Sequence, residues 1–147
     1  MAVSIKIQGI NDARNKIAKL ATVAGDLAPI MQEISLYLDA VNKKRYQDQV
    51  SPEGTAWRPL SPVTIARRKN KAGDPGRILI DTGRLFGSIK PSHNNRQAKV
   101  SSGPLVYAGV HQIGTAKTPA RPYIGINNDE LQDILRLIDK RLEAAFK

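Results

Sequence analysis

Between Leu27 and Val41 the apolar residues fall at Leu27, Ile30, Met31, Ile34, Leu38 and Val41. Steps of three and four place them in one stripe along an α-helix. Gln32, Glu33, Asp39, Asn42 and Lys43 fall on the opposite face. Asp26 can start this helix, and Pro29 lies in its first turn, where a missing N–H costs little. The pattern predicts a helix to about Gln49. A second stripe, Leu131, Ile134, Leu135, Ile138 and Leu142, predicts a C-terminal helix. Asn127 with Glu130 three residues later is a capping-box pair at its start.

Other segments predict strands and short helices. Ala2 to Gln8 alternates Val3, Ile5 and Ile7 with polar residues, as a half-buried strand does. Gly9 ends it, and Asn11 or Asp12 is expected to cap a short helix carrying Ile17 and Leu20. Ser61 as cap with Pro62 at the first helical position predicts a short helix through about Lys69. Asn70 to Arg77 has only Ala72 as an apolar residue and is expected to form a mobile, basic loop. Asp81 or Thr82 is expected to cap a helical turn with Leu85, Phe86 and Ile89 inward. Ala98 to Ser101 and Leu105 to Ala108 read as paired strands around Gly103-Pro104, with a further strand near Tyr123 to Ile126. The expected fold class is α+β, in one domain spanning 1–147. A small, mostly antiparallel sheet packs against the long helix and the C-terminal helix, with an extended basic loop region.

Composition narrows the function. The 147 residues include no cysteine, which removes disulfides and thiolate chemistry. The first residues lack the apolar run of a signal peptide, and no stretch is long enough to span a bilayer, so no membrane role is expected. The net charge is +10, and residues 43–121 hold fifteen basic and four acidic residues, so all the excess lies there. A basic region of this kind attracts phosphates or acidic protein surfaces. Lys43-Lys44-Arg45, Arg67-Arg68-Lys69 and Lys71 are its candidate surface. Without interleaved aromatics or a recognition helix, any contact with nucleic acid is expected to be nonspecific and salt-sensitive.

Candidate chemistry is sparse. His93 and His111 are the only histidines, and neither has a second ligand at helix spacing. His111 is better suited to a structural or interface role than to catalysis. The word Asp81-Thr82-Gly83-Arg84 lacks the glycines and Lys-Ser/Thr of a phosphate loop. Asp81 is most simply a cap, and Gly83 would let another chain approach closely. Trp57, the one tryptophan, is either an anchor pinning its Pro-rich segment or an aromatic at a subunit contact. Arg121, between Ala120 and Pro122, suits a carboxylate on a neighbouring subunit or a local salt bridge equally. No catalytic residue, metal site or cofactor is expected.

Four words stand in order through the middle of the chain: Trp57 with Pro59-Leu60-Ser61 and Thr64; Asp81-Thr82-Gly83-Arg84-Leu85; Tyr107-Ala108 with His111-Gln112 and Gly114; and Ala120-Arg121-Pro122. They resemble the phage virion morphogenesis family of tail-completion proteins, over about Tyr46 to Ile126. Val110, Ile113 and Tyr123-Ile124 stand where related sequences often have other apolar residues, which preserves character. The resemblance implies a structural protein of a tailed phage or prophage, without enzymatic activity. It would complete the tail or form a neck ring at the head–tail junction. The implied partners are copies of itself in a ring, with a hexamer among the copy numbers allowed, and tail-tube or tail-terminator and head-connector proteins. The implied location is the virion, assembled in the bacterial host cytoplasm. The competing class is a nonspecific nucleic-acid-binding module using residues 43–121.

Overall fold

The periodic segments fold as long helices, with short helices and a hairpin between them. The computed structural model describes residues 9–68 and 75–147. In chain order these form α1 (Ile10–Ala24), α2 (Ala28–Asp48), α3 (Pro62–Arg68), α4 (Arg84–Ser88), β1 (Lys90–His93), β2 (Ala98–Ser101), α5 (Ala108–Ile113) and α6 (Asn128–Ala145). The fold is α+β, helix-rich with a small two-stranded antiparallel sheet. Expectations for Ala2–Gln8, and for most of the Asn70–Arg77 loop, fall outside the described residues.

The described chain divides into two compact units. The first holds residues 9–38, 91–99 and 126–147; the second holds 39–68, 75–90 and 100–125.

In the first unit α1 packs on α6. Leu20 from α1 joins Leu27, Ile30, Met31 and Ile34, and the stripe of α6 covers them with Ile134, Ile138 and Leu142. Ala13, Leu131 and Leu135 form a smaller cluster beside them. Asn127 accepts from the Glu130 amide at 2.9 Å while the Glu130 carboxylate accepts from the Asn127 amide at 3.0 Å, so the expected capping box is complete. Lys16 meets Asp139 at 2.7 Å, Tyr37 donates to Asp133 at 2.7 Å, and Arg141 pairs with Glu33. α1 begins earlier than expected. Its cap is Gly9 at φ 88°, with no side-chain bond, so Asn11 and Asp12 lie inside the helix. Asp12 then faces the positive end of the helix dipole, where a carboxylate is favourable.

The second unit is organised around Tyr46, which has no exposed surface. Its ring meets Trp57 edge-on at 5.3 Å, Tyr123 at 5.8 Å and Phe86 at 5.2 Å. Its hydroxyl donates to the Leu79 carbonyl at 2.6 Å. Ile78, Leu79, Leu85, Ile89 and Ala108 complete this core. Asn42 departs from the polar face assigned to it: it is 1% exposed, and its Oδ1 accepts from the Gly125 amide at 3.0 Å and from Arg45 at 2.7 Å. Side chains four apart on a helix share a face, so Leu38, Asn42 and Tyr46 continue one line with Asn as its polar member.

Two expected strands do not form. Ala98–Ser101 pairs with Lys90–His93, not with Leu105–Ala108. The turn lies at Asn94, whose side chain accepts from the Arg96 amide at 2.8 Å and whose amide donates to the Gln97 carbonyl at 2.9 Å. That asparagine closes the hairpin on the preceding segment, and Leu105 to Tyr107 becomes the turn entering α5. Among the described residues Tyr123 to Ile126 has no strand partner either. The amides of Tyr123 and Ile124 donate to Gln112 Oε1 at 3.1 and 3.2 Å, and Gln112 Nε2 donates to the Ile124 carbonyl at 2.7 Å. One side-chain amide thus does locally what a neighbouring strand would do.

Candidate functional site

The second unit carries a cleft of about 340 Å³ lined by residues of four separate segments. At the end of α3, Arg68 donates to the carbonyls of Arg77 and Ile80 at 2.8 and 3.3 Å. Its Nε stands 3.9 Å from Asp81 Oδ1. These bonds aim a guanidinium across the loop that leads to α4. Leu79, on the floor, has φ 58°, a left-handed conformation unfavourable for a branched side chain. It is held there by burial of its side chain and by the Tyr46 hydroxyl on its carbonyl.

Asp81, Thr82, Gly83 and Arg84 line the next wall. The expected cap at Asp81 or Thr82 is replaced by Gly83, at φ 78° and without a side-chain cap bond. Glycine alone adopts that angle cheaply, so the turn into α4 depends on the backbone, and Asp81 is left facing Arg68. Arg84 opens α4 and is exposed.

The third wall comes from α5. Tyr107 precedes it and His111 lies one turn on, with ring centroids 6.0 Å apart and nearly edge-on. The His111 carbonyl accepts from the Arg121 amide at 2.7 Å. Gly114 ends α5 at φ 76°, where a Cβ would stand 2.6 Å from the Ala120 amide nitrogen. The segment carrying Arg121 is therefore laid directly on the end of α5. The Arg121 side chain is buried and donates to the carbonyls of Arg58 and Pro59 at 2.9 and 3.1 Å. Its local partners are thus backbone oxygens, not the carboxylate considered from sequence.

The electrostatics of the cleft are positive. Among the described residues of the lining, Arg68, Arg84 and Arg121 stand against Asp81 alone. Burial, then the charges of Arg121 and Arg68, push the His111 imidazole below its ordinary value, so it is neutral near pH 7. Its Nδ1 is shielded from solvent and has no hydrogen-bond partner among the described residues. A second depression, of about 600 Å³, shares Leu60 and Arg121 with the cleft and adds Arg58 and Lys117.

Seven of the candidate residues thus meet in one place: Arg68, Asp81, Thr82, Gly83, Arg84, His111 and Arg121. Gln112 and Gly114 support it from behind. Trp57 belongs to the core instead, 4% exposed, with its Nε1 donating to the Pro122 carbonyl at 2.8 Å. It pins its segment and is not an exposed contact aromatic. The candidate basic surface divides. Arg67 is exposed, whereas Lys43 and Lys44 pair with Asp39 and Asp48 one turn away. Arg45 is buried, donating to Asn42 and to the Gly125 carbonyl at 3.1 Å, so it is not a surface charge. Arg68 faces the cleft. Lys69 and Lys71 lie outside the described residues. Arg58 and Lys117 complete the positive surface and were not singled out by any run of charge; each is a lone basic residue in sequence.

Among the described residues no cluster of His, Asp or Glu is placed to hold a metal ion, and no helix is long and apolar enough to cross a membrane. A fixed, positively charged cleft with an apolar floor has the make-up of a recognition surface. The chain belongs to the phage virion morphogenesis family, whose model matches residues 5–143. It is 31% identical to the G protein of Escherichia phage Mu, named for capsid assembly, over all of this chain and 97% of that one. It is 30% identical to the Mu-like prophage FluMu G protein 1 of Haemophilus influenzae, over 88% of each chain. An uncharacterised protein of Methanocaldococcus jannaschii is 35% identical over 57% of this chain and 66% of its own. No solved structure matches significantly. The protein is therefore a phage virion assembly protein.

Proposed function

We propose that this protein is a non-enzymatic structural part of the particle that completes the tail or forms a neck ring at the head–tail junction. It assembles in the bacterial host cytoplasm with copies of itself and with adjoining tail and head-connector proteins. The observation that carries this is membership of a morphogenesis family along nearly the whole chain. Several of its candidate residues also line one positively charged cleft, as a binding surface would require. Charge asymmetry adds support. From sequence, the unit containing the cleft (39–90 and 100–125) has net charge +8, and the other unit has +2. Ring contacts are heterologous, one patch meeting a different patch on the next copy, and two unlike surfaces are what such contacts require. Deleting the gene from the phage or prophage that encodes it is expected to leave heads and tails that do not join, or incomplete tails, by electron microscopy. Normal infectious particles without it would overturn the assembly role at this junction.

The +8 unit also favours a second function, nonspecific DNA contact. Gel filtration separates the two. A discrete oligomer without DNA supports the ring, whereas a monomer that shifts only with duplex DNA at low salt supports the module.

A further inference from the structure

We propose that the cleft bounded by Arg68, Arg84 and Arg121 receives a carboxylate side chain from an acidic segment of another protein, not from a copy of this chain. The inference rests on the assembly role above and names the chemistry of what the protein joins. Arg68 and Arg121 are held in place by carbonyls of Arg77, Ile80, Arg58 and Pro59, so two positive charges are fixed before any partner arrives. Arg84 is exposed at the mouth and forms no ion pair among the described residues. Asp81 is the single acid among the described residues of the lining and already faces Arg68. His111 adds a shielded nitrogen that has no partner among the described residues. Guanidinium groups preset in this way favour a planar carboxylate, which accepts two parallel hydrogen bonds.

The surroundings decide between anions. Leu60, Leu79 and Leu85 make the floor apolar, Tyr107 walls one side, and Val106 next to it is 96% exposed. An apolar residue beside the incoming acid would cover Val106 and Tyr107, as interfaces with an aromatic anchor do. A duplex phosphate backbone offers charge without that apolar neighbour. A second copy's own units carry +8 and +2, so neither offers the net negative surface that this cleft calls for, and contacts between copies would form elsewhere.

The test is an NMR titration of the ¹⁵N-labelled full chain with two blocked dipeptides, Ac-Phe-Asp-NH₂ and Ac-Phe-Asn-NH₂. The Asp dipeptide is expected to move the amide signals of Gly83, Arg84, Tyr107 and His111 along a saturating curve. The Asn dipeptide, of equal size, should bind about tenfold more weakly. Arg84→Gln should abolish the difference between them while signals of α1 and α6 stay in place. Equal responses to both dipeptides, or no response, would overturn the proposal. So would displacement of the Asp dipeptide by a short DNA duplex, or cleft signals that move on concentrating the protein alone, which would assign the cleft to DNA or to a second copy. Heads and tails that fail to join on deletion, with a cleft unmoved by the Asp dipeptide, would remove this inference and leave the assembly role standing.

Discussion

In the unit built on α1 and α6, the buried side chains are almost all aliphatic and come from helical stripes. Apart from Ser35, which is buried and donates to the Gln32 carbonyl, polar groups there act at the edges, as a capping box and exposed ion pairs, and each such pair contributes little. The unit built on Tyr46 closes differently. Tyr46, Trp57, Gln112, Arg121 and Asn42 all reach distant backbone groups, and much of its chain is irregular. The first unit resembles a fragment of a helical bundle, where packing alone determines the arrangement. The second substitutes side-chain bonds for missing ladders, because irregular backbone must have its N–H and C=O groups satisfied somehow. That difference explains where the fixed charges of the cleft lie. Loops held rigid by such bonds present charges in fixed positions, whereas packed helices present mainly solvated faces.

The comparison can be broken most readily at the two core centres. Tyr46→Ala removes a fully buried ring and is expected to cost about 3–5 kcal/mol, measured by urea unfolding. Ile138→Ala, at the centre of the other core, is expected to cost about 2–5 kcal/mol. If the units differ as described, Tyr46→Ala should also accelerate hydrogen exchange at Leu79 and Tyr123 while α6 stays protected. Equal loss of protection in both would mean that the molecule behaves as one cooperative block. Gln112→Ala sharpens the same point without touching the aromatic core. It strips the partner from the amides of Tyr123 and Ile124 and from the Ile124 carbonyl, at about 1–3 kcal/mol for each group left buried and unsatisfied. A change under roughly 0.5 kcal/mol, the usual range for surface substitutions, would show that this segment is held by packing instead. Asn127→Ala, which removes the cap of α6, should cost only about 1 kcal/mol.

The smallest expected effect is one of pH. His111 has a folded value below that of the unfolded chain, because burial and the neighbouring arginines disfavour its charged form. Above the unfolded value of 6.5 the ring is neutral in both states, so nothing is gained or lost. As pH falls below it the unfolded chain takes up the proton first, and stability declines until the folded value is passed. Urea midpoints at pH 7 and pH 5 should therefore fall more for the wild-type chain than for His111→Gln. An equal fall in both would show that His111 does not contribute to the acid limb.

Sequence alone carries the parts of this protein that depend on neighbours three and four residues apart. The stripes of α2 and α6, the Ser61-Pro62 start of α3 and the Asn127–Glu130 box all form as their spacing requires. The location of the excess charge is likewise readable, since charge is additive along the chain. The strands fared worse. A short apolar run such as Leu105–Ala108 or Tyr123–Ile126 is a weak local signal, and it is overridden by the Asn94 turn in one case and by the Gln112 side chain in the other. Whether a basic residue meets solvent is also a long-range matter. Arg45 is buried by Gly125, 80 positions away, and Arg121 by carbonyls more than 60 positions away. The cleft belongs to this second class. Its walls are separate words in the sequence, and only the hydrogen bonds that tie α3, the Leu79 loop, α5 and the Arg121 segment together bring them face to face.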